Sequence, residues 1–223
     1  MKLLSSSRIA AGFFMLVLPG ILLAAGAHAG AWSFSGSAGM FSCSREVSSP
    51  PESLLGEHYS PEENLEAIDV DMIGHARQSI EIAMYAFTDR PIAEALVQAA
   101  SRGVHVWIYR YGIQIRDRGD KSRRILSSRA GRSGLIQIEV KRNSSRNIMH
   151  LKAYVIDGKW LRTGSANWSP PGEGAYCTRG DRNHWSQQDN NLFITGETRE
   201  VRKFEETFRR IWTRGSNRPW SPN

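Results

Sequence analysis

Residues 80–87 constrain the fold more than any other part of the sequence. They are apolar on both faces apart from Glu81, which predicts a strand buried in the middle of a sheet. A helical stripe follows and ends at Gly103, and residues 104–108 then alternate as the next strand. The stripe consists of Ile92, Ala95, Leu96 and Ala99. Strand, helix and strand in this order predict an α/β domain.

The flanking patterns extend this α/β prediction. Ser60, Pro61 and Glu63 have the spacing of a helix start, with Ser60 as the N-cap and Glu63 completing a capping box. A weaker helix is predicted over residues 118–128, and strands are predicted over 135–140 and 191–195. An amphipathic helix closes the chain at Val201, Phe204, Phe208, Ile211 and Trp212. We therefore expect a mixed β-sheet flanked by helices.

The first 29 residues have the layout of a secretory signal peptide. Lys2 and Arg8 precede an apolar run over residues 9–25, and Ala27-His28-Ala29 offers a small-x-small cleavage site. An uncleaved membrane anchor is the alternative, since the run approaches spanning length. Either reading places the rest of the chain outside the cytoplasm, in the periplasm or secreted. After removal of the signal we expect no stable membrane association.

The rest of the chain divides by composition. Residues 30–56 are rich in Ser, Gly and Pro and predict a linker, residues 57–215 predict one folded domain, and residues 216–223 predict a tail. Cys43 and Cys177 can form one disulfide in an oxidising compartment. No paired Cys-x-x-Cys or His-Glu-x-x-His pattern occurs, so no metal or cofactor is predicted. Asp69 and Asp71 lie in a helical pattern and are expected on its solvated face.

Positive charge is concentrated in residues 110–146. Eleven Lys and Arg side chains fall there, opposed only by Asp117, Asp120 and Glu139. Such clustering is typical of a protein that binds a polyanion, although a solvated basic surface is the plain alternative. The candidate nucleic-acid-binding side chains are Arg116, Arg118, Lys121, Arg123, Arg124 and Arg146.

The segment MHLKAYVIDGKWLRTGSANWS, residues 149–169, carries the candidate chemistry. Alternate side chains of a strand share a face, so His150 and Lys152 should lie about 7 Å apart on one face. An imidazole beside an ammonium suits a phosphoryl centre, because Lys neutralises anionic oxygens while His attacks or shuttles protons. Asp157 points to the other face and, with Gly158, predicts a hairpin turn, so it should fix local structure.

The residues after that hairpin return to the same end of the sheet. Ser165 and Asn167, which follow Gly164, can donate hydrogen bonds to phosphate oxygens. Taken singly, each would be read as a turn residue, and His150 as an ordinary core histidine. The whole set within 18 positions favours a functional site.

These residues resemble the phospholipase D superfamily. The pattern H-x-K-x-x-x-x-D, then G-S-x-N, stands here as His150-Lys152-Asp157 and Gly164-Ser165-Asn167. The resemblance extends from about Tyr59 to Trp212. The single copy per chain most resembles the small bacterial Nuc-type endonucleases. It implies that residues 57–215 form a phospholipase D-like catalytic domain.

The resemblance implies roles for several residues. One His150 would attack phosphorus and form a phosphohistidine, while the His150 of a second protomer would protonate the leaving oxygen. Lys152 and Asn167 from both chains would hold the non-bridging oxygens without a metal. Asp189 matches the position of an acidic residue, usually Glu, that orients the imidazole, so its shorter side chain leaves that contact open. His184 can line the cleft, but a surface histidine is the better interpretation.

Three functions remain to be weighed from the sequence. A metal-independent extracytoplasmic endonuclease, working as a homodimer on DNA or RNA, fits the single motif and the basic segment. A phospholipase D-type hydrolase or transferase acting on lipid headgroups would use the same chemistry. It should have an apolar rim or interfacial helix, and the mature sequence offers no convincing one. A binding module with a relic site is disfavoured by the intact motif.

Overall fold

An eight-stranded mixed sheet organises the part of the chain that the computed structural model describes, residues 50–128, 138–175 and 188–220. The strand order is β1-β7-β6-β5-β2-β3-β4-β8. The strands are β1 (Gly56–Ser60), β2 (Ser79–Met84), β3 (His105–Tyr111), β4 (Ile138–Asn143), β5 (Lys152–Ile156), β6 (Trp160–Gly164), β7 (Asn190–Thr195) and β8 (Arg218–Pro219). The predicted leader, Cys43, Cys177 and His184 lie outside these ranges.

Helices cover both faces of the sheet, which confirms the predicted fold class. They are α1 (Leu65–His75), α2 (Arg90–Ser101), α3 (Ser122–Ser127) and α4 (Thr198–Trp212), with short 3-10 turns at Pro51–Leu54 and Gln114–Arg116. The core beneath α1 and α2 includes Leu65, Ile82 and Leu96. The core beneath α4 includes Val155 and Phe208.

The predicted strand-helix-strand unit is β2-α2-β3, with β2 and β3 parallel. Asp89 caps α2 by accepting a hydrogen bond from the Ile92 N–H at 3.1 Å, and the apolar stripe of the helix is buried. The chain leaves the helix through Gly103, whose φ of 94° suits glycine. On its other side β2 pairs with β5, which runs antiparallel to it. β2 therefore lies between the parallel and the antiparallel part of the sheet.

The chain before α1 differs from the sequence prediction. Ser60 is the last residue of β1 and pairs with Asn190, so it is not available as an N-cap. Asn64 caps the helix instead, accepting from the Ala67 N–H at 3.1 Å. The Glu63 carboxylate accepts the Tyr59 N–H at 2.8 Å, which closes the turn ahead of the helix. The predicted capping box was wrong because the backbone of Ser60 belongs to strand β1 and pairs with β7.

Ordered elements also occur at both ends of the predicted domain. The turn Pro51–Leu54 and the start of β1 fall within the predicted linker, and β8 falls within the predicted tail. The limits of 57 and 215 therefore stay a prediction. Within the described ranges, none of the helices combines the length and apolar character that crossing a bilayer requires.

Candidate active site

The predicted site residues meet at one edge of the sheet. β5 runs antiparallel to β2, so Lys152 at its start lies opposite Met84 at the end of β2. β6 and β7 are likewise antiparallel, and Gly164 lies opposite Leu192. The motif halves before β5 and after β6 therefore reach the same edge.

His150 and Lys152 are in direct contact. The Lys152 Nζ lies 3.0 Å from Nδ1 of the exposed His150 ring and donates to the His150 carbonyl at 2.8 Å. Lys152 itself is only 6% exposed, and burial lowers the pKa of its ammonium. The predicted shared face is confirmed, because Tyr154 and Ile156 on that face pack beneath α1 and α2 while Ala153 and Val155 pack beneath α4.

An aromatic pair that the sequence reasoning missed supports these two residues. The Tyr85 ring lies edge-on to His150 with centroids 4.5 Å apart, and the Lys152 Nζ lies 5.1 Å from the Tyr85 centroid. Tyr111 stacks on the Tyr85 ring at 5.5 Å. Tyr85 follows β2 and Tyr111 ends β3, so their positions at the ends of adjacent parallel strands were the available signal.

The amide of Asn167 is oriented by the backbone after β2. Its Oδ1 accepts the Ala86 N–H at 3.2 Å, which leaves Nδ2 as the free end of the amide. Within the described residues Nδ2 donates no hydrogen bond, so it is available to an anionic oxygen. The role of Asn167 as a donor to a phosphate oxygen stays a prediction, with which this orientation of the amide is compatible.

Ser165 and Gly164 hold the turn that brings Asn167 to the edge. The Ser165 Oγ accepts the Asn191 N–H at 2.9 Å, and the Ser165 N–H donates to the Asn191 carbonyl at 3.0 Å. A Cβ on Gly164 would lie 2.3 Å from the Asn191 carbonyl oxygen, so only glycine fits there. Ser165 is exposed and its hydroxyl hydrogen can still donate, so a role toward phosphate stays a prediction.

Asp157 fixes local structure, as predicted, and does so far from the imidazole. Its carboxylate accepts the backbone N–H groups of Arg77 at 2.9 Å, Gln78 at 2.7 Å and Ser79 at 2.9 Å. Asp157 and Gly158 have φ of 53° and 62°, which are the positive values of a type I′ hairpin. Asp157 thus fastens the β5–β6 turn to the start of β2.

Asp189 is exposed just before β7, next to the residue that pairs with Ser60. It lines a surface depression together with Glu63, Ser165 and Asn191. Within the described residues no hydrogen bond joins Asp189 to His150, whose ring contacts Lys152 and Tyr85 instead. The orienting role of Asp189 therefore stays a prediction.

The candidate basic residues are at the surface, with one correction to the basic segment. We define the basic surface as Arg116, Arg118, Lys121, Arg123, Arg124 and Arg146; all are exposed except Lys121, which is half-buried. Arg110, which contributed to the predicted charge cluster, is fully buried and pairs with Asp120. Gln114 donates to the Tyr85 hydroxyl at 3.3 Å, so the chain entering this surface begins beside the site. Arg129 and Arg132 lie outside the described residues.

A buried charged network lies beneath the site, and sequence reasoning did not find it. Arg162 in β6 is fully buried and donates to both carboxylate oxygens of Asp69, at 3.1 and 2.9 Å, and to Glu173 Oε1 at 2.9 Å. Tyr154 and Trp168 each donate to Asp69 at 2.8 Å. The expectation of a solvated Asp69 was wrong, because the helix face that it occupies packs on the sheet.

The neighbouring carboxyl groups have raised pKa values. Burial, with the Asp69 charge as a further cause, raises the pKa of Glu173 well above its usual range. Burial and then the nearby Glu66 carboxyl raise the pKa of Asp89 to about 9. Desolvation also raises the pKa of Glu81, which faces Glu205 and Arg209 of α4, to about 7. Asp89 thus holds a proton at neutral pH.

No metal-binding arrangement of three or more His, Cys, Asp or Glu side chains occurs within the described ranges. The polar groups gathered at the site are an imidazole, an ammonium, a carboxamide and a hydroxyl. This set can supply a nucleophile and donors to anionic oxygens.

Comparison with known proteins agrees with this arrangement. Residues 70–212 match a family described as cardiolipin synthase, phospholipase D-like domain. Mitochondrial cardiolipin hydrolase of Mus musculus is 31% identical over 140 residues, covering 61% of this chain and 53% of that protein. The corresponding protein of Drosophila melanogaster is 26% identical over 163 residues, covering 64% and 56%. The chain spans about half the length of the curated relatives that it matches.

Two solved structures share the fold. The phospholipase D family member Nuc from Salmonella typhimurium superposes with a TM-score of 0.61 at 24% identity, covering 74% of this chain and 97% of that one. NucT from Helicobacter pylori gives a TM-score of 0.56, also at 24% identity, covering 70% and 93%. At this identity the likeness establishes the fold alone.

Proposed function

The chain belongs to the phospholipase D superfamily, and we propose that it is a metal-independent phosphodiesterase that hydrolyses nucleic acid through a phosphohistidine intermediate. The observation that carries the proposal is the contact between Lys152 Nζ and the His150 ring at 3.0 Å. An ammonium this close to an exposed imidazole can hold a phosphate oxygen while the imidazole approaches phosphorus. The free Nδ2 of Asn167 supplies a second donor at the same edge.

The proposed reaction has two displacements at phosphorus. In the first, a His150 nitrogen forms a bond to phosphorus while the bond to the leaving oxygen breaks, and that oxygen takes a proton from a second imidazolium. In the second, water attacks phosphorus, the phosphorus–nitrogen bond breaks, and the second imidazole accepts the proton of the water. Lys152 and Asn167 stabilise the charge on the non-bridging oxygens throughout.

We propose that the second imidazole comes from another chain, because among the described residues no other histidine lies at the site. Of the other described histidines, His75 ends α1 and His105 begins β3, at the opposite edge of the sheet. His58 in β1 bonds to the Glu63 carboxylate at 2.7 Å. A two-fold homodimer repeats each residue across its axis, so the partner subunit's His150 can face the nucleophile. We therefore propose a homodimer with one shared phosphate site.

Nucleic acid is the preferred substrate because the basic surface starts beside the site. Gln114 contacts Tyr85, and the exposed Arg116 and Arg118 follow it, whereas Arg146 lies four residues before His150. Guanidinium groups along this path can bind successive backbone phosphates. The resemblance of the single motif to the bacterial endonucleases adds support.

A lipid headgroup is the second candidate substrate. It is favoured by the cardiolipin hydrolases among the relatives and by exposed apolar side chains near His150 in the sequence. Ile148 is 64% exposed and Leu151 39% exposed. The sequence reasoning found no such rim, and these side chains could contact acyl chains or the proposed partner subunit.

The decisive experiment offers four substrates to the purified mature domain. Plasmid DNA, single-stranded DNA, RNA and cardiolipin vesicles are each incubated with excess EDTA and then with added magnesium. The proposal expects EDTA-resistant cleavage of nucleic acid and no cleavage by His150→Ala. Cleavage restricted to cardiolipin would favour the lipid candidate, and activity that requires magnesium would contradict the metal-independent mechanism.

We also propose that the protein acts in the periplasm or after secretion. The support is the charged start, apolar run and small-x-small site of residues 1–29. N-terminal sequencing of the protein from a periplasmic extract should begin at Gly30. A mature protein that still begins at Met1 would contradict cleavage.

A further inference from the structure

The two phosphate-binding groups of the proposed site stand on different strands. Lys152 begins β5, and Asn167 follows the end of β6. The β5–β6 ladder pairs Tyr154 with Arg162 and does not extend to Lys152. The strand pairing between β5 and β6 therefore does not fix how far Lys152 lies from Asn167.

Arg162 joins the two motif halves where that ladder ends. Its Nη1 donates to the Lys152 carbonyl and to the Ala166 carbonyl, each at 3.1 Å. Ala166 is the residue between Ser165 and Asn167, so one nitrogen holds the backbone on both sides of the site. The first carbonyl is that of Lys152 itself. The second belongs to the peptide bond between Ala166 and Asn167.

The guanidinium is itself fixed in one orientation. Two of its five N–H groups hold the carbonyls, and the other three donate to Asp69 and Glu173. Asp69 also accepts from Tyr154 and Trp168, and Arg162 is fully buried. A planar fork with every donor engaged can rotate only if several bonds break together.

We propose that Arg162 is a positioning residue that sets the separation between Lys152 and Asn167 and thereby the geometry of the phosphate site. This role rests on the proposed phosphodiesterase function. Buried charges are costly even when they are paired. If stability alone were needed, apolar side chains of similar size in place of the whole charged network would hold the hairpin together equally well. What an apolar residue lacks is the pair of donors that holds the Lys152 and Ala166 carbonyls. Lys152 and Asn167 act on transition-state charge, so a shift in their separation should lower kcat more than it changes KM.

The test is the variant Arg162→Lys. A lysine keeps the positive charge beside Asp69 but has no planar fork, so it cannot serve Asp69 and both carbonyls at once. The expected result is a kcat reduced roughly 10-fold to 100-fold, as for small misplacements of reacting groups, with KM within about threefold of wild type. Circular dichroism checks that the variant is folded at the assay temperature.

Two controls separate positioning from general stability. Glu173→Gln keeps an acceptor for Arg162 Nη2 and leaves Nη1 on the two carbonyls, so its kcat should stay within about threefold of wild type. Phe208→Leu weakens the core beneath α4, away from this network, and should lower the melting temperature without lowering kcat. An Arg162→Lys variant impaired only in stability would behave like Phe208→Leu, and the proposal would then be wrong.

A binding measurement makes the test independent of turnover. Inorganic phosphate is titrated against the wild type and against Arg162→Lys, and the imidazole resonances of His150 are followed by NMR. Positioning predicts weaker phosphate binding in the variant, whereas equal affinity together with unchanged kcat overturns the role of Arg162. If wild type cleaves none of the four substrates, the proposed function fails, while the phosphate titration still decides the role of Arg162.

A milder variant serves if Arg162→Lys does not fold. Tyr154→Phe removes one hydrogen bond to Asp69 without removing a charge. It should lower kcat roughly threefold to tenfold, the range set by removing one hydrogen bond, and weaken phosphate binding in parallel. A folded Tyr154→Phe protein with wild-type kcat and phosphate affinity would overturn the proposal.

Discussion

Beneath α1 and α2 the sheet buries charged side chains, whereas beneath α4 it buries almost only apolar ones. Asp69, Asp89, Arg162 and Glu173 are each fully buried on the first face. The second face is filled mainly by side chains such as Val155, Leu161, Val201, Phe204 and Phe208, with Glu81 as a partly buried carboxyl. We call these the charged face and the apolar face.

The difference follows from what each face supports. On the charged face, Arg162 reaches the backbone beside Lys152 and Asn167, so its donors serve the strand ends that carry the site. On the apolar face, α4 closes the core through aromatic packing, and the Phe208 ring packs against Phe204 and Trp212 of the same helix. Charge is therefore buried where backbone carbonyls of the site need a donor.

The largest expected effect comes from removing the central cation of the charged face. Arg162→Met leaves the Asp69 and Glu173 carboxyls buried without their partner, which should lower the free energy of unfolding by about 3–5 kcal/mol. Urea denaturation measures the decrease. A triple variant that adds Asp69→Asn and Glu173→Gln removes both partnerless carboxyl groups and should recover part of the lost free energy. A decrease below about 1 kcal/mol in Arg162→Met would contradict the distinction between the faces.

The second prediction concerns protons held by the charged face. Because the pKa of folded Asp89 is raised from 3.8 to about 9, the folded protein retains a proton that the unfolded chain releases. This contribution to stability is fully present below pH 3.8 and is lost as the pH rises through about 9. Asp89→Asn can still cap α2 and has no such proton to lose, so its unfolding free energy should fall less steeply between pH 6 and pH 9.

Denaturation at several pH values tests this sign. Glu81 titrates in both proteins because its pKa is raised to about 7 on the apolar face, so only the difference between the two curves reports Asp89. The wild-type curve should be steeper by up to about 1.4 kcal/mol per pH unit, the limit for one proton. Parallel curves would mean that Asp89 is ionised in the folded protein.

On the apolar face a smaller and simpler effect is expected. Phe208→Leu removes ring contacts with Phe204 and Trp212, whose centroids lie 6.1 and 5.4 Å away, and should lower the free energy of unfolding by about 1–2 kcal/mol. No ionisable group is removed, so the decrease should be the same from pH 6 to pH 9. A pH-dependent decrease would show that the substitution changes the titration of Glu81, the partly buried carboxyl on the same face.

The apolar face and the motif could be predicted from the sequence because each depends on a local pattern. The stripe through Val201, Phe204 and Phe208 predicted α4, and strand alternation predicted that His150 and Lys152 share a face. The Asp157 turn was predicted for the same reason. Periodicity reports which side of an element a residue occupies, and that was sufficient for these elements.

The charged face could not be predicted, because its bonds join residues far apart in the chain. Asp69 and Arg162 are 93 positions apart, and nothing in the helical pattern around Asp69 indicates its partner. The same limit applied to Arg110, which belonged to a basic run but lies buried against Asp120. A charge run gives net charge, whereas burial depends on which helix face meets the sheet. Arg162 in the otherwise apolar start of β6 was the one available signal.

The smallest effect on the free energy of unfolding is expected from substitutions in the basic surface, whose side chains belong to neither core. Replacing Arg116, Arg118, Arg123 and Arg124 by Gln should change the free energy of unfolding by less than about 0.5 kcal/mol per residue, because these side chains are exposed. The ion pair of Arg124 with Glu94, at 2.8 Å, lies at the surface, and its loss falls within that limit.

The effect of the same four replacements on nucleic-acid binding should be much larger. Each phosphate that no longer meets a guanidinium should reduce the slope of log affinity against log salt by about 0.9 on duplex DNA, so the four replacements together should reduce it by about 3–4.

Binding is measured with the inactive His150→Ala protein on one duplex, from low to high salt, with and without the four replacements. Asp89→Asn in the same background is the matched control, since it alters the charged face and should leave the salt slope unchanged. If the four replacements leave the slope unchanged, nucleic acid does not follow this surface. If they reduce the slope while unfolding stays within its limit, the arginines at the surface bind substrate, in contrast to the buried Arg162, whose donors are all engaged within the fold.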